Sequence, residues 1–216
     1  MKKIPFTIKD EVKSEALKKN NKIKKIIASS ATINKIERDN TMATIIDNVP
    51  VMVEGYCSRA ITAGNNANAI ASGVNSRATT AGDGANAITT GIDAHATTAG
   101  NYTIAKTNNS YSHAIATGNC SCAITNDDYS HAIVAGSSSK AMTSGNNSIA
   151  CGIGVYSRVK GKLGSWLVVA EWSKYIPNQG NQLLGIVSAK VDGDKIKPNT
   201  WYKAKDGQLI EDYLTT

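Results

Sequence analysis

The sequence predicts a mainly β protein, a parallel β-solenoid flanked by a helical basic N-terminal segment and a small antiparallel β cap. From Val51 the chain reads as rows of nine residues, and alanine recurs at one place in every row, at positions 60, 69, 78, 87, 96, 105, 114, 123, 132, 141 and 150. Glycine stands four places after most of these alanines, and the residue types beside alanine recur every 18 positions. A repeat of this regularity indicates a stack of equivalent coils.

The alanine column is predicted to face the interior. Side chains alternate across a strand, so one set of positions must point inward. If alanine pointed outward, the residues before it, which include Arg59, Arg77 and His95, would be buried in a stack, and burial of unpaired charge is unfavourable. Alanine therefore points inward, together with the Ser or Ala two places before it and the Thr or Ala two places after it. We expect a thin core whose Ser and Thr hydroxyls hydrogen-bond along the stack.

Each coil is predicted to contain two rows. Basic residues precede alanine in every second row, at positions 59, 77, 95, 113 and 131, and other residue types occupy the rows between them. Asn109 and Asp127 replace the glycine, and they also stand 18 apart. We therefore predict about six coils over residues 51–158, built from two parallel sheets of short strands. Because Gly, Asn and Asp tolerate positive φ, we expect the glycine column to form a backbone corner.

The outer face that carries the basic column is predicted to be an oligomer interface. Its other side chains are apolar or small at regular spacing, which is typical of a packing surface on a solenoid with a thin core. We expect copies of the chain to pack there, as a trimer or alternatively as a dimer. The residues predicted to lie in this interface are Ile61, Thr79, Thr97, Ile115, Ile133 and Ile153.

Three histidines on the same face are candidates for an anion or metal ladder. His95, His113 and His131 are predicted to stand in one column about 5 Å apart, so that a bound ion could bridge them. Duplication of a coil produces the same ladder without a ligand, and neighbouring imidazoles oppose one another's protonation. Cys122 belongs to the opposite face, and no two of the four cysteines are placed to form a disulfide. We therefore assign no metal site.

Residues 159–216 are predicted to form an antiparallel β cap that covers the open strand edges at the end of the solenoid. The stretch 165–174 alternates apolar residues on one face, and a second strand is expected near Leu183 to Val191. Four aromatic residues are predicted to form the core of the cap, with ligand stacking as the alternative role: Trp166, Trp172, Trp201 and Tyr202.

Residues 1–50 are predicted to form a basic arm and, at residues 44–53, a lead-in strand. Residues 1–38 hold 11 Lys and Arg against four Asp and Glu, which accounts for the net charge of +7 of the whole chain. Apolar residues spaced among the lysines of residues 9–28 predict one or two amphipathic helices. The arm could bind nucleic acid through phosphates, dock on an acidic protein, or cap the solenoid. The residues predicted to contact a partner are Lys18, Lys19, Lys22, Lys24 and Lys25.

No catalytic set of residues emerges from the sequence. The Ser and Thr hydroxyls are repeat positions without a base beside them, and the glycines come singly instead of in a phosphate-binding loop. The N-terminus lacks the apolar core of a signal peptide, and no stretch approaches the roughly 20 apolar residues of a membrane span. We therefore expect a soluble cytoplasmic protein that is not an enzyme and has neither a cofactor nor a membrane partner.

The repeats resemble the β-roll head of trimeric autotransporter adhesins, which are similarly rich in Ala, Ile, Gly and Ser. The repeats and the C-terminus together resemble uncharacterised nine-residue-repeat proteins of phages and bacteria, in the stretches VKGKLGSWLVVAEW (159–172) and VDGDKIKPNTWYKAKDGQL (191–209). The adhesin likeness implies a trimer. The phage likeness implies an inhibitor, such as an anti-CRISPR, of a host defence protein or ribonucleoprotein. The alternative is a phage virion or tail accessory that binds glycans through corner tyrosines, Tyr102, Tyr111, Tyr129 and Tyr156.

Overall fold

The computed structural model describes residues 24–28, 36–37, 41–45 and 50–213, and the regular elements in these ranges are all β-strands. The first strands are β1 (Lys24–Ala28), β2 (Ile36–Glu37), β3 (Thr41–Ile45) and β4 (Val51–Glu54). The repeat strands are β5 (Arg59–Thr62), β6 (Asn68–Ser72), β7 (Arg77–Thr80), β8 (Asn86–Thr89), β9 (His95–Thr98), β10 (Ile104–Thr107), β11 (His113–Ala116), β12 (Cys122–Thr125), β13 (His131–Val134), β14 (Lys140–Thr143) and β15 (Ile149–Gly152). The last strands are β16 (Arg158–Lys160), β17 (Trp166–Trp172), β18 (Leu183–Lys190), β19 (Tyr202–Lys205) and β20 (Gln208–Glu211).

The strands form two sheets around one core. The odd-numbered strands β1 to β17 pair in parallel and, with β18, make up sheet A, while the even-numbered strands β2 to β16 pair in parallel and, with β19 and β20, make up sheet B. In the regular part each residue pairs with the residue 18 places later, as Ala78 does with Ala96. The predicted parallel β-solenoid with two rows in each coil is therefore confirmed.

The parallel stack is longer at its N-terminal end than the predicted six coils. Lys24–Ala28, part of the region predicted to be helical, is strand β1 and pairs with β3. A strand at this place continues sheet A and covers the edge of β3, which a helix over the same residues would leave open. Lys24 and Lys25 thus lie in a sheet, while Lys18, Lys19 and Lys22 and the rest of the predicted helix lie outside the described residues.

The lead-in strand predicted over residues 44–53 is two strands instead of one. Ile45 ends β3 in sheet A, and Val51 begins β4 in sheet B. Consecutive strands of the solenoid alternate between its two sheets, so one strand does not span both segments. Among residues 24–28, 36–37, 41–45 and 50–213 there is no helix long and apolar enough to cross a membrane.

The core is as thin as predicted, and the alanine column is fully buried from Ala60 to Ala150. The serine hydroxyls bond along the stack, as at Ser112, whose Oγ donates to the carbonyl oxygen of Gly91 at 3.1 Å and accepts from the N–H of Ala94 at 3.1 Å. Most threonine hydroxyls do not. Six of them are buried without a hydrogen-bond partner among the described residues: Thr62, Thr80, Thr89, Thr107, Thr125 and Thr143. The predicted bonding along the stack is therefore confirmed for serine and wrong for these threonines.

The glycine column lies at the backbone corners, but the predicted reason for glycine is wrong at most positions. Only Gly55 and Gly73 in this described column have positive φ. Glycine is favoured at these positions because the coils approach closely, as at Gly100, where a Cβ would lie 2.1 Å from the carbonyl oxygen of Gly82. Positive φ falls instead two places later, at Cys57, Asn66, Asn75, Gly84, Asp93, Tyr102, Tyr111, Cys120, Tyr129, Ser138, Asn147 and Tyr156.

The C-terminal strands continue both sheets. Strand β17 pairs in parallel with β15, and β18 pairs with β17 in the antiparallel direction. In sheet B, β19 is antiparallel to β16 and forms a hairpin with β20. The boundary predicted at residue 159 therefore cuts through the parallel part of the stack, because β16 and β17 still belong to it.

The aromatic core predicted for the C-terminal strands is wrong except at Tyr202. Leu167 pairs with Ala150 and, with Val169, continues the inward column. Because side chains alternate, Trp166 points outward and is 47% exposed. Trp172 and Trp201 are only half-buried, whereas Tyr202 is buried and accepts a hydrogen bond from the N–H of Lys197 at 2.7 Å.

Candidate functional site

The outer face of sheet A from β5 to β17, which we call the histidine face, carries two columns of side chains in register. Both columns point outward because the alanine between them points inward. The first column consists of Arg59, Arg77, His95, His113, His131, Ile149 and Trp166. The second consists of Ile61, Thr79, Thr97, Ile115, Ile133, Cys151 and Val168.

The second column contains five of the six residues predicted to form an oligomer interface. The exception is Ile153, because the register partner of Ile133 on the next strand is Cys151. Ile153 lies beyond the end of β15 and is exposed, and its carbonyl oxygen accepts a hydrogen bond from the Trp172 indole at 3.0 Å. The residue of β15 that belongs to the second column is therefore Cys151, and Ile153 lies outside that column.

The three histidine rings follow one another along the column, stacked between His95 and His113 and tilted between His113 and His131. The ring centroids of His95 and His113 lie 4.9 Å apart and those of His113 and His131 lie 5.0 Å apart, which confirms the predicted spacing. Arg77 precedes His95 in the same column and Ile149 follows His131. The ladder is thus the central part of a column that is cationic at one end and apolar at the other.

The histidines favour their neutral form. Burial lowers the pKa of His95 below 6.5, and the Arg77 charge lowers it further, while Asp93 opposes the shift. Burial also lowers the pKa of His113 and of His131, each with a smaller contribution from the preceding histidine. At neutral pH the cationic charge of this column therefore resides on its two arginines.

The stacked ladder is a poor arrangement for a metal ion. Metal ligands must converge on one point, whereas these rings follow one another along the stack with centroids 4.9 Å and 5.0 Å apart. Within the described part of the chain, no group of three or more His, Cys, Asp or Glu side chains could hold a metal ion. Cys122 lies on the opposite face, where burial raises the pKa of its thiol, and all four cysteines are free.

The opposite face, on sheet B, carries a basic aromatic cluster that the sequence reasoning missed. The ammonium groups of Lys140 and Lys160 lie 5.9 Å and 4.8 Å from the centroid of the Trp201 ring, within the range of cation–π attraction. Lys160 stands 18 places after Met142 and pairs with it. Continuing the 18-residue spacing past residue 158 would therefore have placed Lys160 on the same face as Lys140. Two cations therefore lie close to the ring of the half-buried Trp201.

The four corner tyrosines are exposed and divide between two corners. Tyr111 and Tyr129 stack with ring centroids 5.1 Å apart and nearly parallel planes. Tyr102 and Tyr156 stand in the other corner column. All four have positive φ, which is uncommon for a bulky side chain.

The chain was compared with models of protein families, with curated proteins and with solved structures. No family model, no curated protein and no solved structure matches it.

Proposed function

We propose that the chain is a non-enzymatic binding protein that assembles with copies of itself through the histidine face. The observation that supports this most is the pair of uninterrupted columns on one flat sheet. The second column holds only Ile, Thr, Val and Cys, and each of these side chains is half-buried by its neighbours in the stack. A regular apolar surface of this length is typical of a protein interface.

The electrostatics of the histidine face also favour assembly. Burial of a charged side chain in an interface is costly, and here the lowered pKa values keep the histidines neutral at pH 7. The two arginines stand at one end of the face, where their guanidinium groups can stay in contact with water. We propose a trimer, in line with the likeness to adhesin heads, and a dimer as the alternative.

Light scattering on the Thr97→Lys variant tests the proposed interface. Thr97 lies in the middle of the second column, and Lys106 occupies the equivalent place on sheet B, so a lysine at this position is compatible with the fold. The matched control is Ile70→Lys, at the equivalent place in β6 on the opposite face. We expect Thr97→Lys alone to lower the molar mass of the assembly. Equal masses for the wild type and both variants would exclude the histidine face as the interface.

For the partner, we propose a host defence protein or ribonucleoprotein in the cytoplasm of a bacterial cell. The support is the concentration of the positive charge of the chain in residues 1–38. The test is a pull-down from bacterial lysate, with and without nuclease, of the wild type and a variant with Lys18, Lys19 and Lys22 changed to Glu. Lys24 and Lys25 are left unchanged because they belong to β1. Equal recovery of partners by both proteins would remove the arm from the proposal.

Glycan binding by a phage virion or tail protein is the second candidate, and the stacked pair of Tyr111 and Tyr129 favours it. Exposed aromatic rings are suitable surfaces for sugar stacking. Calorimetry with bacterial surface glycans tests this function. The informative variant is Tyr111→Asn, because asparagine also accepts positive φ. Glycan binding that Tyr111→Asn abolishes would support this function, and its absence from the wild type would remove it.

A further inference from the structure

The C-terminal end of sheet A exposes more large apolar side chains than a capped end needs. Strand β18 alone exposes Leu183, Leu184 and Ile186 to 54%, 62% and 63%. Trp166 on the neighbouring strand is 47% exposed. Solenoid ends usually have a polar outer surface for solubility. An apolar end of this kind indicates that something covers it.

Strand β18 is also an open edge. It is the last strand of sheet A, and within the described residues it pairs only with β17. The N–H and the carbonyl oxygen of Val191 both bond towards residues 164 and 165, at 2.8 Å and 2.9 Å. Because backbone groups alternate in direction along a strand, those of Ala189 and Val187 also point towards β17. The backbone groups of Ile186, Ser188 and Lys190 therefore point away from the sheet.

We propose that β18 pairs in the antiparallel direction with β18 of a second copy of the chain. The pairing joins the two A sheets into one continuous sheet and satisfies the outward backbone groups of both copies. The bulge opposite Glu171 and Trp172 leaves residues 185–190 as the regular part of the strand. Pairing centred on Val187 places Ile186 opposite Ser188 of the second copy.

The charge pattern of β18 favours a second copy of the chain as the partner and the antiparallel direction of pairing. Edge strands that avoid pairing usually carry inward charges or proline in the middle, whereas the only charged residue of β18 is Lys190, at its end. Antiparallel pairing places the two Lys190 side chains at opposite ends of the junction, so like charges do not face each other. A two-fold contact between identical strands also closes after two copies and does not grow into a filament.

The experiment measures the molar mass of the full chain by light scattering over a range of concentrations. It is done in the Thr97→Lys background, which removes assembly through the histidine face. The first edge variant, Ile186→Lys, adds a charge at an exposed position. The second, Ser188→Pro, removes an N–H that points away from β17 and takes no part in the pairing of β18 with β17. The matched control is Ile104→Lys, at an exposed position of sheet B.

We expect the Thr97→Lys chain to have twice the mass of the 22.8 kDa chain. Adding Ile186→Lys or Ser188→Pro should weaken the dimer at least about tenfold, which corresponds to about 1.4 kcal/mol, while Ile104→Lys leaves it unchanged. Circular dichroism establishes that each variant keeps its β structure. A Thr97→Lys chain that is monomeric up to its solubility limit, or a dimer that neither edge variant weakens, would overturn the proposal. These two results concern only the edge of β18. The histidine face is tested separately, by comparing the molar mass of the wild type with that of the Thr97→Lys variant.

Discussion

Replacing Thr89 by valine should stabilise the protein. The Thr89 side chain is fully buried, and its hydroxyl has no hydrogen-bond partner among the described residues. Valine has the same shape, and Val134 already occupies the equivalent place in sheet A, two places after an alanine. An unpaired buried hydroxyl costs about 1–3 kcal/mol relative to an apolar group of the same shape. We therefore expect Thr89→Val to raise the free energy of unfolding by about 1 kcal/mol or more.

The matched control is Thr98→Val, the same substitution at the equivalent place in sheet A. The hydroxyl of Thr98 accepts a hydrogen bond from the Thr103 hydroxyl at 2.7 Å, so its removal should lower the free energy of unfolding by about 1 kcal/mol. Thermal unfolding followed by circular dichroism should show Tm shifts of opposite sign, about 2–4 °C for each kcal/mol in a chain of this size. A fall in Tm for Thr89→Val as large as that for Thr98→Val would refute the reasoning.

Three further predictions concern pH, close packing and the C-terminal hairpin. Folding lowers the pKa of the three histidines below 6.5, so at a pH near or below 6.5 the unfolded chain binds more protons than the folded chain. Tm should therefore fall as the pH drops through 6.5. The fall in Tm should be smaller in the His113→Asn variant, which lacks one of the three imidazoles. Gly100→Ala should lower the free energy of unfolding, measured with urea, by about 1–3 kcal/mol. Gly185→Ala has open space around the new methyl group, so it should change this free energy by less than about 0.5 kcal/mol. The Glu171 carboxylate accepts hydrogen bonds from the N–H groups of Asp206 and Gly207 at 2.6 Å and 2.8 Å, so Glu171→Gln should lower the free energy of unfolding by about 1 kcal/mol.

The inward alanine and the 18-residue coil could be predicted because both depend on local rules. Because side chains alternate along a strand, either the alanines or their neighbours point inward. The cost of burying Arg59 and Arg77 excludes the second arrangement. The 18-residue recurrence then assigns the histidines to one column, and the stacking distances agree with the spacing of strands in a sheet. No contact between distant residues was needed for these inferences.

The role of the glycine column could not be predicted, because it depends on the distance between coils. Gly, Asn and Asp share a tolerance of positive φ, and the sequence suggested this common property as the cause. The contact that excludes a side chain at Gly100 is with a carbonyl oxygen 18 residues earlier. The positions that do have positive φ include Tyr102, Tyr111 and Cys120, residue types that carry no such signal in the sequence.

Trp166 follows a coil that is one residue shorter than the 18-residue coils between β4 and β16. Ala150 pairs with Leu167, 17 places later, whereas 18 places would lead to Val168. A shift of one residue moves every side chain of a strand to the other face. The apolar alternation of residues 165–174 predicts Trp166 and Trp172 in a core, whereas the observed register buries Leu167 and Val169.

The same one-residue shift brings Trp166 into the histidine column and makes sheet A unlike sheet B at the C-terminal end. Sheet B ends in the hairpin of β19 and β20, whose cations pair with acids, as Lys203 does with Asp212 at 2.7 Å and Lys197 with Glu211 at 2.9 Å. Sheet A ends in β18, which is apolar and open at its edge. Charged edges resist pairing and open apolar edges promote it. Both proposed contacts between copies therefore lie on sheet A, one on its face and one at its edge.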